Sequence, residues 1–187
     1  RLCMQSCSSL GIPCAGSLSR DDAVALLSRG DDQAVIVKPA FDVSRARGLR
    51  CVTTIEELDA AIRACEALHG SYVLQESIPG GDDCLRMVTV VYGNSGRLIG
   101  GFSARKLRQY PRGGGVTASG ISTRDAGLLE QVRPFFDAWR WRGPAEVELK
   151  HDARHGTCRV IEINPRIPGY LRHASLCGVE LAEYAVR

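Results

Sequence analysis

Two apolar stretches near the end of the chain each carry a glutamate at their centre. Glu148 lies in the sequence Val-Glu-Leu, and Glu162 lies in the sequence Ile-Glu-Ile. A polar turn at residues 152–156 separates the two stretches, which predicts that they pair as the strands of a hairpin. Because an unpaired carboxylate among apolar side chains is costly, a cation is expected beside these glutamates.

The same hairpin predicts a metal site. Asn164 follows Glu162 by two residues, and side chains two apart on a strand point to the same face. Glu148, Glu162 and Asn164 then present oxygen ligands together, and Mg²⁺ favours such donors, completed by water and substrate phosphates. The alternative is that both glutamates face solvent, as is common on half-exposed sheets.

Two lysines lie at the ends of predicted strands. An apolar run at residues 34–37 ends in Lys38 and a proline, and a second run at residues 98–105 ends in Lys106. Ammonium groups in such positions suit phosphate oxygens, whereas an ordinary surface lysine is the alternative. The sequence contains no G-x-x-x-x-G-K-[ST] motif, which excludes phosphate binding by a P-loop.

The remaining periodicities predict helices interleaved with strands. Helices are predicted near residues 1–10, 17–28, 54–69 and 128–139, and strands at residues 34–39, 72–76, 85–92, 98–106, 145–150 and 158–163. Pro134 is expected to kink or split the last helix, and the glycine-rich residues 111–119 are expected to form a flexible loop. This pattern indicates an α+β or α/β architecture of two lobes with mixed or antiparallel sheets.

Charge and cysteine usage narrow the class of protein. The net charge is only +3 and basic residues are scattered, so nucleic acid and membrane are not expected partners and a small molecule is. The eight cysteines include no C-x-x-C pair, which favours reduced thiols and a cytoplasmic location. Cys3, Cys7 and Cys14 are interpreted as buried thiols rather than zinc ligands. The first residue is Arg1 rather than Met, which suggests a fragment.

The motifs VIVKP, VLQESIPGGDD, RK, VELK and EINPR, in this order, resemble the ATP-grasp superfamily, in particular its carboxylate–amine ligase branch. The resemblance spans residues 34 to about 181, and EINPR with the upstream VEL strand is its most specific part. It implies that residues 1–187 are an ATP-grasp domain with nucleotide between two lobes. Residues 17–80 would form the smaller lobe and residues 81–187 the larger lobe with the metal site, and the N-terminal α/β domain that is usual in the family would be absent from this sequence.

The resemblance also implies roles for individual residues. The nucleotide-binding set is Lys38 and Lys106 for the phosphates, Gln75, Glu76 and Ile78 for the adenine at a hinge, and Asp82 or Asp83 for the ribose. Glu148, Glu162 and Asn164 would bind Mg²⁺, with Mn²⁺ as an alternative ion. Arg166 would stabilise the transferred phosphoryl group or acyl phosphate and, with Lys106, form the catalytic pair.

One loop departs from the family pattern. Ser44 to Gly48 occupies the place of a mobile glycine-rich phosphate loop but contains a single glycine. Arg45 or Arg47 is therefore an alternative source of charge for phosphate.

The activity implied is an ATP- and Mg²⁺-dependent ligase that activates a carboxylate as an acyl phosphate for attack by an amine. The implied partners are these two small substrates and the missing N-terminal domain, and a homodimer is compatible with the resemblance. The alternatives are a nucleotide-binding but catalytically incomplete fragment, or a carboxylase or phosphotransferase on the same fold. Gly113 to Gly115 would close over the reacting groups or form an ordinary surface loop, and Gly169 to His173 would face the carboxylate substrate.

Overall fold

The computed structural model describes residues 2–30, 33–41 and 48–186, which divide into two compact units. Unit 1 contains Ala15–Pro79 and Gln109–Val116, and unit 2 contains Leu2–Cys14, Gly80–Arg108 and Thr117–Arg187. Both units combine a β-sheet with helices, which confirms the predicted α+β class. No helix in these described ranges is both long enough and apolar enough to cross a membrane.

Unit 1 is a four-stranded sheet with two helices. Its elements are β1 (Ser17–Leu18), α2 (Arg20–Leu27), β2 (Val35–Pro39), β3 (Arg50–Val52), α3 (Ile55–His69) and β4 (Tyr72–Glu76). The strand order is β1-β4-β2-β3, and the neighbouring strands are antiparallel. Apolar side chains of α3, β2 and β4 share one buried cluster, which is the core of this unit.

The sequence signals of α3 correspond to its observed ends. The hydroxyl of Thr54 accepts a hydrogen bond from the backbone N–H of Glu57 at 3.2 Å, which satisfies a donor that the first turn leaves open. Gly70 ends the helix in the left-handed region, with φ of 71°, where glycine has no steric penalty. The predicted helix at residues 54–69 is therefore confirmed.

Unit 2 is built around a five-stranded sheet of order β7-β6-β5-β8-β9. Its strands are β5 (Leu85–Tyr92), β6 (Leu98–Tyr110), β7 (Val116–Thr123), β8 (Gly143–Asp152) and β9 (Thr157–Asn164). Its helices are α1 (Leu2–Ser9), a 3₁₀ turn (Asp82–Cys84), α4 (Ala126–Ala138), α5 (Leu171–Leu176) and α6 (Leu181–Val186).

The two faces of the unit 2 sheet have separate cores. On one face, buried residues of β5 and β8 such as Val90 and Val147 pack with Phe135 and Phe136 of α4 and with Cys7 of α1. On the other face, Met87 and Phe102 pack against the residues of α5 and α6. The alternation of side chains along each strand separates these two sets.

Three predictions about local structure differ from the observed elements. Lys106 lies within β6, which continues to Tyr110, rather than at the end of a strand. Residues 116–119 belong to β7 rather than to a loop, so only a tight turn separates β6 from β7. The β-branched residues of β7 favour a strand, but the preceding glycines obscured that signal. Pro134 does not split α4, which runs through it as one helix. Phe135 and Phe136 are both buried, and their packing offsets the hydrogen bond that proline cannot donate.

A fully buried carboxylate joins the two ends of the β8–β9 turn. Asp152 accepts hydrogen bonds from the Arg154 side chain at 2.8 and 2.9 Å and from Arg159 at 3.1 Å. His155 Nδ1 lies 3.1 Å from the same carboxylate. These contacts, led by the bonds from Arg154, hold the pKa of Asp152 well below its usual value.

We expect the change Asp152→Asn to lower the free energy of unfolding at pH 7 by about 2–3 kcal/mol, because the guanidinium groups lose their anionic acceptor. A carboxyl with a depressed folded pKa stabilises the fold fully above its unfolded pKa of about 4, and this contribution declines progressively as the pH falls from there toward the much lower folded pKa. Urea unfolding of both proteins from pH 7 to pH 3 measures the difference. A difference in unfolding free energy between wild type and Asp152→Asn that is as large at pH 3 as at pH 7 would contradict this account. Asp137→Asn, at a half-exposed position of α4, serves as the matched control.

Candidate active site

Four polar side chains of β8 and β9 lie on one face of the unit 2 sheet. Glu148 is opposite Glu162, and Glu146 is opposite Asn164, in the antiparallel register of this hairpin. The same face continues into β5 and β6, because Met87 is opposite both Glu148 and Ala104. The hairpin predicted from the sequence is confirmed, and its carboxylates lie together.

Lys106 supplies a cation on this face. It lies two residues beyond Ala104 on β6, and its ammonium donates to Glu148 Oε2 at 2.8 Å. The Lys106 side chain is 1% exposed and that of Glu148 is 18% exposed. An almost fully buried lysine is stable only with such a partner, so this pair is a built feature of the site rather than a chance surface contact.

Glu146 was missed in the sequence analysis. It is 3% exposed, and Arg166 Nη1 lies 3.2 Å from its carboxylate oxygen Oε2. The Tyr170 hydroxyl also lies close enough to this carboxylate for each group to shift the pKa of the other. The available signal was its position two residues before Glu148 in the same strand, which places both side chains on one face.

The pKa of Glu146 is raised to about 7, mainly by burial and then by the neighbouring Glu148, while Arg166 and Lys106 oppose the shift. The pKa of the Tyr170 hydroxyl is also raised well above its usual value, first by burial and then by Glu146. At Glu146, burial and the charge of Glu148 therefore outweigh the effect of the two nearby cations.

The oxygen atoms of this face are of the chemical type that binds a divalent cation. Carboxylate and amide oxygens are the ligands that Mg²⁺ prefers, and an added positive charge would favour the ionised form of Glu146. Within residues 2–30, 33–41 and 48–186, no group of three His, Cys, Asp or Glu side chains has the arrangement of a metal centre. The predicted set has two carboxylates and one amide, and its role as a metal site stays a prediction.

The candidate nucleotide residues of unit 1 lie on two adjacent strands and the segment that follows. Lys38 on β2 is opposite Val73 on β4. Gln75 lies two residues beyond Val73 on the same strand and is buried. The carboxylate of Glu76 accepts from the backbone N–H of Gly16 at 3.2 Å, and Ile78 is buried. Their roles toward nucleotide stay predictions.

The remaining predicted residues lie outside these clusters. Asp82 and Asp83 form the 3₁₀ turn that leads into β5. Ser44 to Arg47, including Arg45, lie outside the described residues, and Gly48 is described, with φ of 98°. Of Gly113 to Gly115, the first two have positive φ and complete the tight turn before β7.

The fold has clear relatives among solved structures. Neither a protein-family model nor a curated protein sequence matches this chain. The D-alanine–D-alanine ligase of Coxiella burnetii superposes with a TM-score of 0.70 and 17% identity, covering 99% of this chain and 55% of that one. The biotin carboxylase domain of Hydrogenobacter thermophilus 2-oxoglutarate carboxylase, crystallised with MgADP and bicarbonate, gives 0.68 and 17%, covering 98% and 43%.

A third similar structure is the pyruvate carboxylase of Rhizobium etli, with a TM-score of 0.70 and 20% identity over 92% of this chain and 16% of that chain. This chain thus spans between 16% and 55% of the length of these three structures. At such identities the likeness concerns the fold. The chain has the ATP-grasp fold.

Proposed function

We propose that the chain is the ATP- and Mg²⁺-binding part of a ligase that activates a carboxylate as an acyl phosphate for attack by an amine. The observation that carries this proposal is the polar face of unit 2, where Glu146, Glu148, Glu162 and Asn164 lie together with Lys106 and Arg166. The ATP-grasp fold and the motif order of the sequence support it.

The residues suit phosphoryl transfer, in which positioning and charge stabilisation do most of the work. Glu148, Glu162 and Asn164 would hold the metal, which would neutralise phosphate charge when bound. Lys106 keeps Glu148 in place, and Arg166 presents its half-exposed guanidinium to developing negative charge. Lys38, Gln75, Glu76 and Ile78, with Asp82 or Asp83, would contact the nucleotide.

Calorimetric titration with a non-hydrolysable ATP analogue tests the binding claim. We expect binding that requires Mg²⁺ and is lost on addition of EDTA, because the carboxylates alone repel the phosphates. A folded chain that binds no analogue with or without Mg²⁺ would contradict the proposal.

Two other functions are alternatives to the ligase. The similar structures include pyruvate carboxylase and 2-oxoglutarate carboxylase, which supports carboxylation as the second candidate. The short coverage of those structures supports a third, a binding module that needs further parts of the protein for turnover.

Phosphate release separates the three. Release from ATP only with an amino-acid mixture, which supplies both a carboxylate and an amine, favours the ligase. Release only with bicarbonate favours a carboxylase, and analogue binding without release favours the incomplete module.

A further inference from the structure

A line of polar contacts runs from the buried core of unit 2 to Arg166. Thr89 Oγ1 and the Tyr170 hydroxyl form a hydrogen bond of 2.8 Å, and the Tyr170 hydroxyl lies beside the carboxylate of Glu146, since each of these two groups shifts the pKa of the other. Arg166 Nη1 contacts the same carboxylate at 3.2 Å. All four side chains belong to unit 2.

The buried end of this line is fixed to the sheet. Threonine and tyrosine hydroxyls can each donate and accept, so the hydrogen bond to Thr89 holds the Tyr170 hydroxyl whichever of the two donates. Thr89 is fully buried on the central strand β5, directly opposite Glu146 in the sheet register. The line therefore starts from a rigid point of the sheet.

The backbone around Arg166 complements these contacts. The N–H of Arg166 donates to the carbonyl of Asn164 at 2.8 Å, which forms a tight turn directly after β9. Since Asn164 is opposite Glu146, the turn returns the Arg166 side chain toward that carboxylate. The Arg166 side chain is still 50% exposed, so its other N–H groups can reach an anion.

We infer that Tyr170 and Glu146 are positioning residues, which hold one side of the Arg166 guanidinium so that its exposed side meets the transferred phosphoryl group. The inference rests on the proposed function. Because a preorganised cation is worth most where charge develops, the effect should fall on the transition state more than on ground-state nucleotide binding.

The test compares Tyr170→Phe with the matched change Tyr184→Phe. Both variants remove one hydroxyl from unit 2 and keep the ring, which preserves the packing of position 170 against Phe102. The Tyr184 ring packs on Gly100 on the same side of the sheet. Thr89→Val is a second variant, which removes the hydroxyl that hydrogen-bonds Tyr170 and keeps the side-chain volume.

The first measurement is the side-chain nitrogen NMR spectrum of arginine-labelled protein, in which Arg166→Lys identifies the Arg166 signal. We expect a restricted Arg166 guanidinium in the wild type and in Tyr184→Phe, and an averaged one in Tyr170→Phe. Thr89→Val should give a smaller change in the same direction. An Arg166 signal that is identical in wild type and Tyr170→Phe would overturn the inference.

The second measurement compares calorimetric affinities for a non-hydrolysable ATP analogue and for MgADP with aluminium fluoride, which mimics the transferred phosphoryl group. Tyr170→Phe should weaken binding of the mimic about tenfold and change binding of the analogue by less than about twofold. Equal losses of affinity for both ligands, or no loss of affinity for the mimic, would overturn the claim that the positioning of Arg166 acts mainly on the transition state. A wild type that binds neither ligand would contradict the proposed function, and the NMR result would then decide the positioning claim by itself.

Discussion

The double change Glu148→Gln with Glu162→Gln is expected to abolish Mg²⁺-dependent binding of an ATP analogue, lowering affinity by about 100-fold or more. Each carboxylate is predicted to supply one charged metal ligand, and a loss of about 1.4 kcal/mol per ligand already gives tenfold. Glutamine keeps the size of each side chain and an oxygen atom. Titration in the presence and absence of Mg²⁺ therefore measures the loss of charge rather than of shape.

The matched control for this variant is Glu130→Gln on the exposed surface of α4, where the same chemical change should leave affinity as it is. Magnesium-dependent binding that survives in the double variant would show that the metal uses other ligands. Each single variant should give an intermediate loss, unless Glu148 acts only through its contact with Lys106.

Replacing Lys106 by methionine is expected to lower the free energy of unfolding by about 2–4 kcal/mol, because it leaves the Glu148 carboxylate without its buried partner. Glu146 lies on the same face and adds to the uncompensated negative charge. The change should also weaken binding of the ATP analogue at least about tenfold, because Glu148, a predicted metal ligand, loses the contact that holds its carboxylate in place.

A double-mutant cycle separates the ion pair from packing. Adding Glu148→Gln to Lys106→Met should restore part of the stability, with a coupling energy of about 1–3 kcal/mol measured by urea unfolding. Strictly additive effects would mean that the 2.8 Å contact contributes little. Arg133→Met serves as the control, because its ion pairs on α4 are exposed and worth about 1 kcal/mol or less.

The hairpin of β8 and β9 could be predicted from the sequence because its signals are local. Alternation along a strand places Glu162 and Asn164 on one face whatever surrounds them, and a polar turn joins the two strands. The ends of α3 were predicted for the same reason, since Thr54 and Gly70 act on neighbouring backbone groups. Both the alternation of side chains along a strand and the capping of a helix depend on residues only a few positions apart in the sequence.

Other features depend on distant residues. Alternation puts Glu146 on the same face as Glu148, but its burial and its contacts with Arg166 and Tyr170 arise only when β8, β9 and the start of α5 pack together. Pro134 likewise weakens a helix locally, and the packing of two phenylalanines decides that α4 continues.

The sequence by itself thus predicted the α+β class, the hairpin of β8 and β9 and the set of charged residues that are proposed to form a phosphate site. The tertiary structure decided which charges meet: Lys106 with Glu148, and Arg166 with Glu146. The physical reason is that periodicity fixes the direction of a side chain along its own element. The cost of burying a charge is set by groups that the fold brings from elsewhere in the chain.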